Sequence, residues 1–258
     1  MRVFVINMQQ HAERRAAARR KLDAAGVPFE FFPGMSGEQA LRLGLFRGVD
    51  EREFLLNTGR RVVPGEIGCF ASHRELWKVA VELDEPIMVL EDDFDLLDWF
   101  ADALTSACDV IRDVGYLRLQ VDRAARRRHV FDLGEFSVSR YTKAPHCMMC
   151  YCISPAVAAH FIDRTRVVEA PVDVFVKKFW EHGQPIYALT PYAVAPSILS
   201  PKTTIAGREK RRKPLPLAAR RFMRKGRWYW RRFLFNARNV ALRAEGPETV
   251  RPMSIGYN

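Results

Sequence analysis

The sequence predicts an α/β domain, with a mostly parallel central sheet flanked by helices, and a basic amphipathic C-terminal helical tail. The chain opens with a strand, a helix and a second strand, which is the βαβ order of a parallel sheet. The apolar run Ile87–Leu90 is too short for an independent helix and ends at three acidic residues, as a buried strand does at a sheet edge. The basic residues are concentrated near the end of the chain.

The first half of the chain alternates strands and helices. Residues 2–7 predict a strand, and the polar, Ala-rich residues 10–25 predict a helix that ends at Gly26. Residues 36–64 lack a strong period, which indicates short helices and loops. The other predicted elements are a strand at 29–32, a helix at 66–83, a strand at 87–90 and a helix at 97–113.

The second half continues this alternation up to an irregular exit. Ser154 as N-cap, with Pro155 at the first helical position, predicts a helix that runs to about residue 164. Pro191, Pro196 and Pro201 indicate irregular backbone beyond the last strand. The other predicted elements are strands at 116–121, 131–141, 148–153 and 185–189 and a helix at 172–182.

The net charge of +11 belongs to one segment near the C-terminus. Residues 207–243 contain fourteen Lys or Arg and one acid, whereas residues 1–206 carry 26 basic and 27 acidic residues. The body is therefore nearly neutral, and we expect the basic segment to have partners of its own. These differences predict a folded domain over 1–206 and a basic tail over 207–258.

The composition favours a protein of the reducing cytosol. The five cysteines are an odd number, and the apolar start of the chain is too short for a signal peptide. No run approaches the roughly 20 apolar residues that span a bilayer. We therefore expect neither a disulfide framework nor a transmembrane segment.

Three acids, Glu91, Asp92 and Asp93, follow the predicted buried strand directly. Ligands of α/β sheets bind beyond the carboxyl ends of the strands, and clustered carboxylates repel one another unless a cation offsets them. Oxygen ligands suit a hard divalent cation, so the segment predicts metal-assisted chemistry on a phosphate compound. Alternate residues can share one side, which suggests that Glu91 and Asp93 bind the same ligand. The alternative is a solvated acidic turn.

A second candidate block lies at the start of the predicted helix 66–83. Gly65 and Gly68 would allow a ligand close to the backbone, and a helix N-terminus attracts anions. Ser72 and His73 follow within the helix, where they could reach a substrate, as could Glu66. The alternative is a glycine-capped helix in which His73 is structural.

These motifs together resemble glycosyltransferase family 25, which includes lipooligosaccharide galactosyltransferases and relatives that glycosylate collagen. Gly65–Trp77 reads Gly-Glu-Ile-Gly-Cys-x-x-Ser-His-x-x-x-Trp, and Leu90–Asp93 reads Leu-Glu-Asp-Asp at the expected distance. Weaker similarities occur at Val5–Met8, Tyr151–Pro155 and Pro171–Asp173. The turn at residues 34–37 departs from the family's pattern, because a serine stands in place of the acid. The resemblance covers roughly residues 2–200.

The resemblance implies a GT-A-like fold, a nucleotide-sugar donor such as UDP-galactose, inversion at the anomeric carbon and a divalent cation, Mn²⁺ or Mg²⁺. Glu91 and Asp93 would then hold the metal, with Asp92 assisting at the donor. Asn7 and Arg14 would lie near the uridine end of the site. The acceptor would be a saccharide of lipooligosaccharide or a related glycan. The alternative function is a non-catalytic membrane- or nucleic-acid-binding protein on a degenerate transferase domain.

An inverting transferase needs a general base that is separate from the metal acids. Asp173 is our candidate, because it follows Pro171 at the start of a predicted helix and lies far in sequence from Glu91. The alternative role for Asp173 is a helix cap. His73 is a second candidate for the catalytic set, and Glu66 a further pocket residue.

The segment His146–Cys152 carries one histidine and three cysteines, a composition that also occurs at zinc sites. The rest of the chain offers only the isolated Cys69 and Cys108 as further thiols. We therefore interpret these cysteines as small buried hydrophobes.

The tail predicts an Arg-rich amphipathic helix. Its apolar stripe consists of Met223, Trp230, Phe233, Leu234, Ala237, Val240 and Ala241. Such a helix suits an anionic membrane surface, which predicts a cytoplasmic protein that is peripheral on the inner face of the membrane and acts on a lipid-linked acceptor. In one alternative the stripe packs on the domain. In the other, the least favoured, the tail binds nucleic acid.

Overall fold

The computed structural model describes residues 1–122, 125–197 and 215–241. The strands are β1 (Arg2–Asn7), β2 (Glu30–Pro33), β3 (Gly48–Val49), β4 (Ile87–Glu91), β5 (Phe94–Leu96), β6 (Tyr116–Arg118), β7 (Arg126–Leu133), β8 (Phe136–Lys143), β9 (Cys150–Ile153), β10 (Val167–Val168), β11 (Tyr187–Thr190) and β12 (Val194–Pro196). The helices are α1 (Ala12–Ala24), α2 (Gly37–Arg42), α3 (Glu51–Thr58), α4 (Pro64–Leu83), α5 (Phe100–Val114), α6 (Pro155–Arg164), α7 (Val172–Lys177), α8 (Phe179–His182) and α9 (Leu215–Ala241).

The central sheet of the described residues has the order β2-β1-β4-β9-β6-β11-β8-β7. β1 pairs in parallel with β2 and β4, and β6 pairs in parallel with β11. β9 lies antiparallel between β4 and β6, and β8 is antiparallel to both of its neighbours. The α/β class is confirmed, but the sheet is more mixed than the mostly parallel one that we predicted. Sequence periodicity reports burial, and it cannot report the direction of a strand.

Two apolar cores lie on opposite faces of this sheet. Alternate residues of β4 divide between them, with Ile87 and Val89 in one core and Met88 and Leu90 in the other. This alternation is the two-residue period of a strand that is buried on both faces. Trp77 of α4 is fully buried in the first core, so α4 is anchored against the sheet below the acidic segment.

The predicted and observed elements differ in several places, of which three matter most for the architecture. The predicted strand 131–141 is a hairpin of β7 and β8, because Gly134 takes a positive φ of 57° at a tight turn. The predicted helix 172–182 is interrupted at Lys178, where the backbone leaves helical geometry between α7 and α8. β5 and β12 form a small antiparallel sheet that we did not predict, because each has only three residues.

α9 packs on the domain through α3 and α8. Arg224 forms a bidentate ion pair with Glu53, and Arg221 donates to the backbone carbonyls of Leu55 and Leu56. Phe235 packs against Phe179, with 5.3 Å between the ring centroids. The predicted boundary between residues 206 and 207 and the Arg and Lys residues at 208–213 lie outside the described residues. Among the described helices, none is both long enough and apolar enough to cross a bilayer.

Candidate active site

The three acids lie at the edge of the sheet where β1 and β4 end. Ile6 is in register with Glu91, so Asn7, the last residue of β1, lies beside the acidic segment. The parallel pairing of β1 and β4 therefore brings together two regions that the sequence separates by more than 80 residues. This edge is where α/β sheets bind their ligands.

Asp92 is the most enclosed of the three acids. Its carboxylate accepts hydrogen bonds from Asn7 Nδ2 at 2.6 Å and from Arg14 at 3.0 Å. These contacts fix β1 and α1 to the acidic segment. We predicted all three residues at the donor. The structure brings them together at the edge of the site, and their contact with a donor stays a prediction.

Asp93 has a carboxyl group whose charge is poorly compensated. Burial raises the pKa of Asp93 to about 6, and the negative charges of Glu91 and Asp92 contribute, against the opposing charge of Arg14. Its Oδ1 atom is buried and accepts no hydrogen bond within the described residues. A divalent cation would supply the missing positive charge, so Asp93 and Glu91 fit the metal-binding role that we predicted.

Glu91 is held from behind by a buried chain of three side chains. Trp77 Nε1 donates to the Tyr151 hydroxyl at 2.9 Å, and the Tyr151 hydroxyl lies 3.0 Å from His73 Nδ1. His73 Nε2 lies 3.2 Å from Glu91 Oε1. A carboxylate can only accept, so Nε2 carries the proton, and Tyr151 then donates to Nδ1. Both ring nitrogens are thus used, which gives His73 a positioning role beside Glu91, and the catalytic role that we predicted for it stays a prediction.

Cys69, His73 and Glu91 form the one group of potential metal ligands found together among the described residues, with ligand atoms within 4.8 Å of one another. The contact between His73 and Glu91 accounts for the proximity of those two, and Cys69 lies one turn before His73 on α4. Cys150 and Cys152 are fully buried in β9, where burial raises their pKa values. Their positions fit the interpretation as buried hydrophobes.

The chain behind Glu91 leads to a stability prediction. Tyr151→Phe should lower the free energy of unfolding by about 1–3 kcal/mol, because Trp77 and His73 lose a buried hydrogen-bond partner. Tyr229→Phe is the control, since it removes the same hydroxyl group from a side chain that is 62% exposed. Urea denaturation of both variants measures the difference. Equal losses would contradict the proposed chain.

The glycine-rich block supports packing rather than ligand binding at several of its positions. A Cβ atom on Gly68 would lie 2.2 Å from the Met35 carbonyl oxygen, so this glycine lets α4 approach the loop before α2. Ser72 Oγ accepts from the Met35 N–H and donates to the Gly68 carbonyl. This hydroxyl therefore joins α4 to the loop before α2, and the predicted contact of Ser72 with the donor stays a prediction. Gly65 lies in the first turn of α4.

Glu66 is paired with a residue that the motif did not indicate. Its side chain is fully buried, and Arg60 donates to both carboxylate oxygens. Arg60 provides the positive charge that this buried carboxylate needs, so Glu66 has a structural partner, and its role as a pocket residue stays a prediction. The negative charges of Glu66 and Asp173 both raise the pKa of Arg60, so Asp173 lies in the same region.

Asp173 lies in the first turn of α7, with 28% of its side chain exposed. The helix cap is Pro171, so the alternative role of Asp173 as N-cap is wrong. One carboxylate oxygen accepts from the Val174 N–H at 2.9 Å, and the other lies 3.1 Å from His146 Nδ1. The second ring nitrogen of His146 contacts Lys177 Nζ. The carboxylate is thus fixed in direction but reachable, as a general base must be.

Sequence reasoning missed Arg60, His146 and Lys177 as neighbours of the predicted residues. Arg60 carries no motif, and its role follows only from its contact with Glu66. The sequence indicated His146 only as part of a cysteine-rich segment, whereas its side chain contacts Asp173. Burial lowers the pKa of Lys177 to about 8, and no local pattern announces that shift.

Comparison with known proteins places the motifs in one family. The profile of glycosyltransferase family 25 (LPS biosynthesis protein) matches residues 1–176. A glycosyltransferase 25 family member of Aedes aegypti is 32% identical over 119 residues, which are 44% of this chain and 19% of that protein. The lacto-N-neotetraose biosynthesis glycosyltransferase LgtB of Neisseria meningitidis serogroup A is 33% identical over 97 residues, 36% of this chain and 32% of that protein.

A further similarity is to a procollagen lysyl hydroxylase and glycosyltransferase of Acanthamoeba polyphaga mimivirus, 30% identical over 130 residues, 43% of this chain and 14% of that protein. The matched segments thus span a third or less of each of these relatives. The family profile covers well over half of this chain and includes the acids, the glycine-rich block and Asp173. The chain therefore belongs to glycosyltransferase family 25.

Proposed function

We propose that the protein transfers a hexose, galactose from UDP-galactose, to a saccharide acceptor with inversion at the anomeric carbon. The observation that carries this proposal is the half-buried carboxyl of Asp93, whose pKa is raised beside Glu91 at the carboxyl edge of the sheet. A site with excess negative charge at this edge suits a cation together with the diphosphate of a nucleotide sugar. Family membership supports the same class of reaction.

In the proposed mechanism Glu91 and Asp93 share one role and Asp92 has another. Glu91 and Asp93 would hold Mn²⁺ or Mg²⁺, and the bound cation would offset the charge that develops on the diphosphate leaving group. The chain from Trp77 through His73 fixes the direction of Glu91. Asp92 keeps Asn7 and Arg14 in place at the donor side.

Asp173 would act as the general base. Its carboxylate takes the proton of the acceptor hydroxyl while that oxygen attacks the anomeric carbon, and the bond from this carbon to the diphosphate oxygen breaks. Attack from the face opposite the leaving group inverts the configuration. His146 would keep the carboxylate oriented, and the bond from the Val174 N–H would stabilise its charged form.

The proposed acceptor is a saccharide of lipooligosaccharide or a related glycan, and the proposed compartment is the cytoplasm at the inner face of the membrane. The acceptor is supported by the LgtB relatives, whose name refers to lacto-N-neotetraose biosynthesis. The exposed apolar and basic side chains of α9 support the location at a membrane.

A thermal-shift titration with UDP and Mn²⁺ tests the donor site and its pH dependence. UDP with Mn²⁺ should raise the unfolding temperature more than either alone, because a ligand that binds only the native state stabilises it. The cation must displace a proton from Asp93, so this stabilisation should weaken as the pH falls through about 6. A screen of UDP-sugars with a saccharide acceptor then identifies the donor. A response that is equal with and without Mn²⁺ would refute the cation site.

A further inference from the structure

The outward face of α9 carries six of the eleven exposed large apolar side chains among the described residues. Phe222 is 79% exposed and Trp230 is 61% exposed, although both are aromatic. The positions of these side chains repeat at three, four and seven residues, which places them on one face of the helix. The exposed large apolar side chains of α9 are Phe222, Met223, Tyr229, Trp230, Phe233 and Leu234.

This outward face is separate from the face that packs on the domain. The domain-facing side uses Arg221, Arg224 and Phe235. The alternative in which the apolar stripe packs on the domain is therefore wrong for Met223, Trp230 and Phe233, which are exposed. The side chains of Val240 and Ala241 lie outside the described residues. Packing of the helix and exposure of its stripe occur together.

Charge surrounds the exposed aromatic face and continues onto the domain. α9 contains eight Arg or Lys and no acid. Asn236 donates to the Thr142 carbonyl at 3.0 Å, which fixes α9 to the open end of the β7–β8 hairpin. Arg126 and Lys143 pair in register at that end, and both are exposed. Burial lowers the pKa of Arg232, and the nearby charge of Arg126 contributes, so the hairpin and helix form one basic surface.

The basic surface also borders the proposed acceptor side of the active site. Lys177 contacts His146, which in turn contacts Asp173. The charges of Arg232 and Lys143 act on Lys177 together with its burial, so the helix, the hairpin and α7 meet near the candidate base. A molecule held on this surface would approach Asp173 from the side of α9.

We propose that α9, together with Arg126 and Lys143 of the β7–β8 hairpin, docks on an anionic phospholipid bilayer and thereby presents membrane-anchored acceptor glycans to Asp173. The aromatic side chains would enter the interfacial region, and the flanking basic residues would contact lipid phosphates. Nucleic acid would satisfy the charges, but it would leave a continuous apolar stripe in water. The presentation of the acceptor rests on the proposed function, whereas the docking does not.

Vesicle co-sedimentation of the full chain tests the docking. Vesicles of phosphatidylcholine with phosphatidylglycerol should bind the protein, and phosphatidylcholine alone should bind it much less. Trp230→Ser with Phe233→Ser should weaken binding by about a hundredfold or more, since each buried aromatic contributes at least one factor of ten. Leu41→Ser with Leu43→Ser, exposed at α2, is the matched control and should bind as wild type does.

A charge-neutralising pair tests the part of the surface that lies outside α9. Arg126→Gln with Lys143→Gln should weaken vesicle binding by about tenfold or more, at roughly 1 kcal/mol for each charge. Arg20→Gln with Arg42→Gln is the control, because α1 packs near β1, at the far end of the sheet from β7. Wild-type binding by both test variants would refute the docking surface. Tighter binding to RNA than to anionic vesicles at equal salt would refute the choice of partner.

An activity comparison separates docking from chemistry. The α9 variant should transfer to a soluble saccharide at the wild-type rate and to the same saccharide anchored in anionic vesicles more slowly. If the α9 variant transfers to both acceptors at the wild-type rate, this surface does not present acceptors to the active site. A wild-type protein that binds vesicles but transfers to neither acceptor would refute the proposed function and leave the docking intact.

Discussion

Asp93→Asn is expected to abolish the stabilisation by UDP with Mn²⁺ and to lower transfer by at least about a hundredfold. The substitution keeps the size of the side chain and removes the charge that would hold the cation. Charge stabilisation by a bound metal is worth several kcal/mol in the transition state, and each 1.36 kcal/mol is a factor of ten in rate. Thermal-shift titration and initial-rate measurements check both parts.

We expect the same variant to have an unchanged or higher stability without the cation. This measurement shows that a loss of activity does not result from misfolding. Burial raises the pKa of Asp93 to about 6, above its ordinary value of 3.8, so the ionised side chain opposes folding near pH 7. That penalty is absent below the ordinary pKa of 3.8, grows as the pH rises from there to about 6, and is constant above about 6. Without cation, the Asn variant should therefore be at least as stable as wild type at pH 7, with the difference shrinking toward pH 4.

Asp95→Asn is the matched control for this experiment. Asp95 lies two residues further on and forms an ion pair with Lys21 at 2.6 Å. This variant should keep both the response to the cation and the activity. An Asp93→Asn protein that still responds to UDP with Mn²⁺ would show that Asp93 does not hold the cation.

Asp173→Asn is expected to reduce kcat by about 10²–10⁴-fold, the usual contribution of a general base. Asparagine can still accept from the Val174 N–H, so α7 should keep its position. Donor binding should not change, because the base acts on the acceptor hydroxyl, whereas Glu91 and Asp93 would hold the cation and the donor diphosphate. Initial-rate assays measure kcat, and thermal-shift titration with UDP and Mn²⁺ measures donor binding, so the two effects can be separated.

His146→Gln distinguishes a positioning neighbour from the base itself. His146 touches Asp173 through Nδ1, so its loss should lower kcat less than Asp173→Asn does and should shift the acidic limb of the pH–rate profile. Asp163→Asn, exposed on α6 beside Arg166, is the control and should leave the profile unchanged. If Asp173→Asn remains active while His146→Gln is inactive, the assignment of the base is wrong.

The sequence predicted most of the local structure, for identifiable reasons. The alternation along β4 and the apolar spacing along α4 reflect burial, which period-2 and period-3.6 patterns report directly. Short elements such as β5 and β12 were not predicted, because three residues are too few to show a period. The direction of β9 escaped as well, since a fully buried strand reads the same in either orientation.

The sequence by itself also determined the family and the position of the acids at a strand end, because both depend on the order of residues along the chain. Only the tertiary structure decided what each side chain does. Asn7 and Asp92 are 85 residues apart and meet across two strands, and Glu66 is neutralised by Arg60. The partner of a charged group depends on distance in the folded chain, where burial makes an unpaired charge costly. Different neighbours in the folded chain therefore give two adjacent acids different roles. Asp92 is held by its hydrogen-bond partners, whereas the charge of Asp93 is poorly compensated.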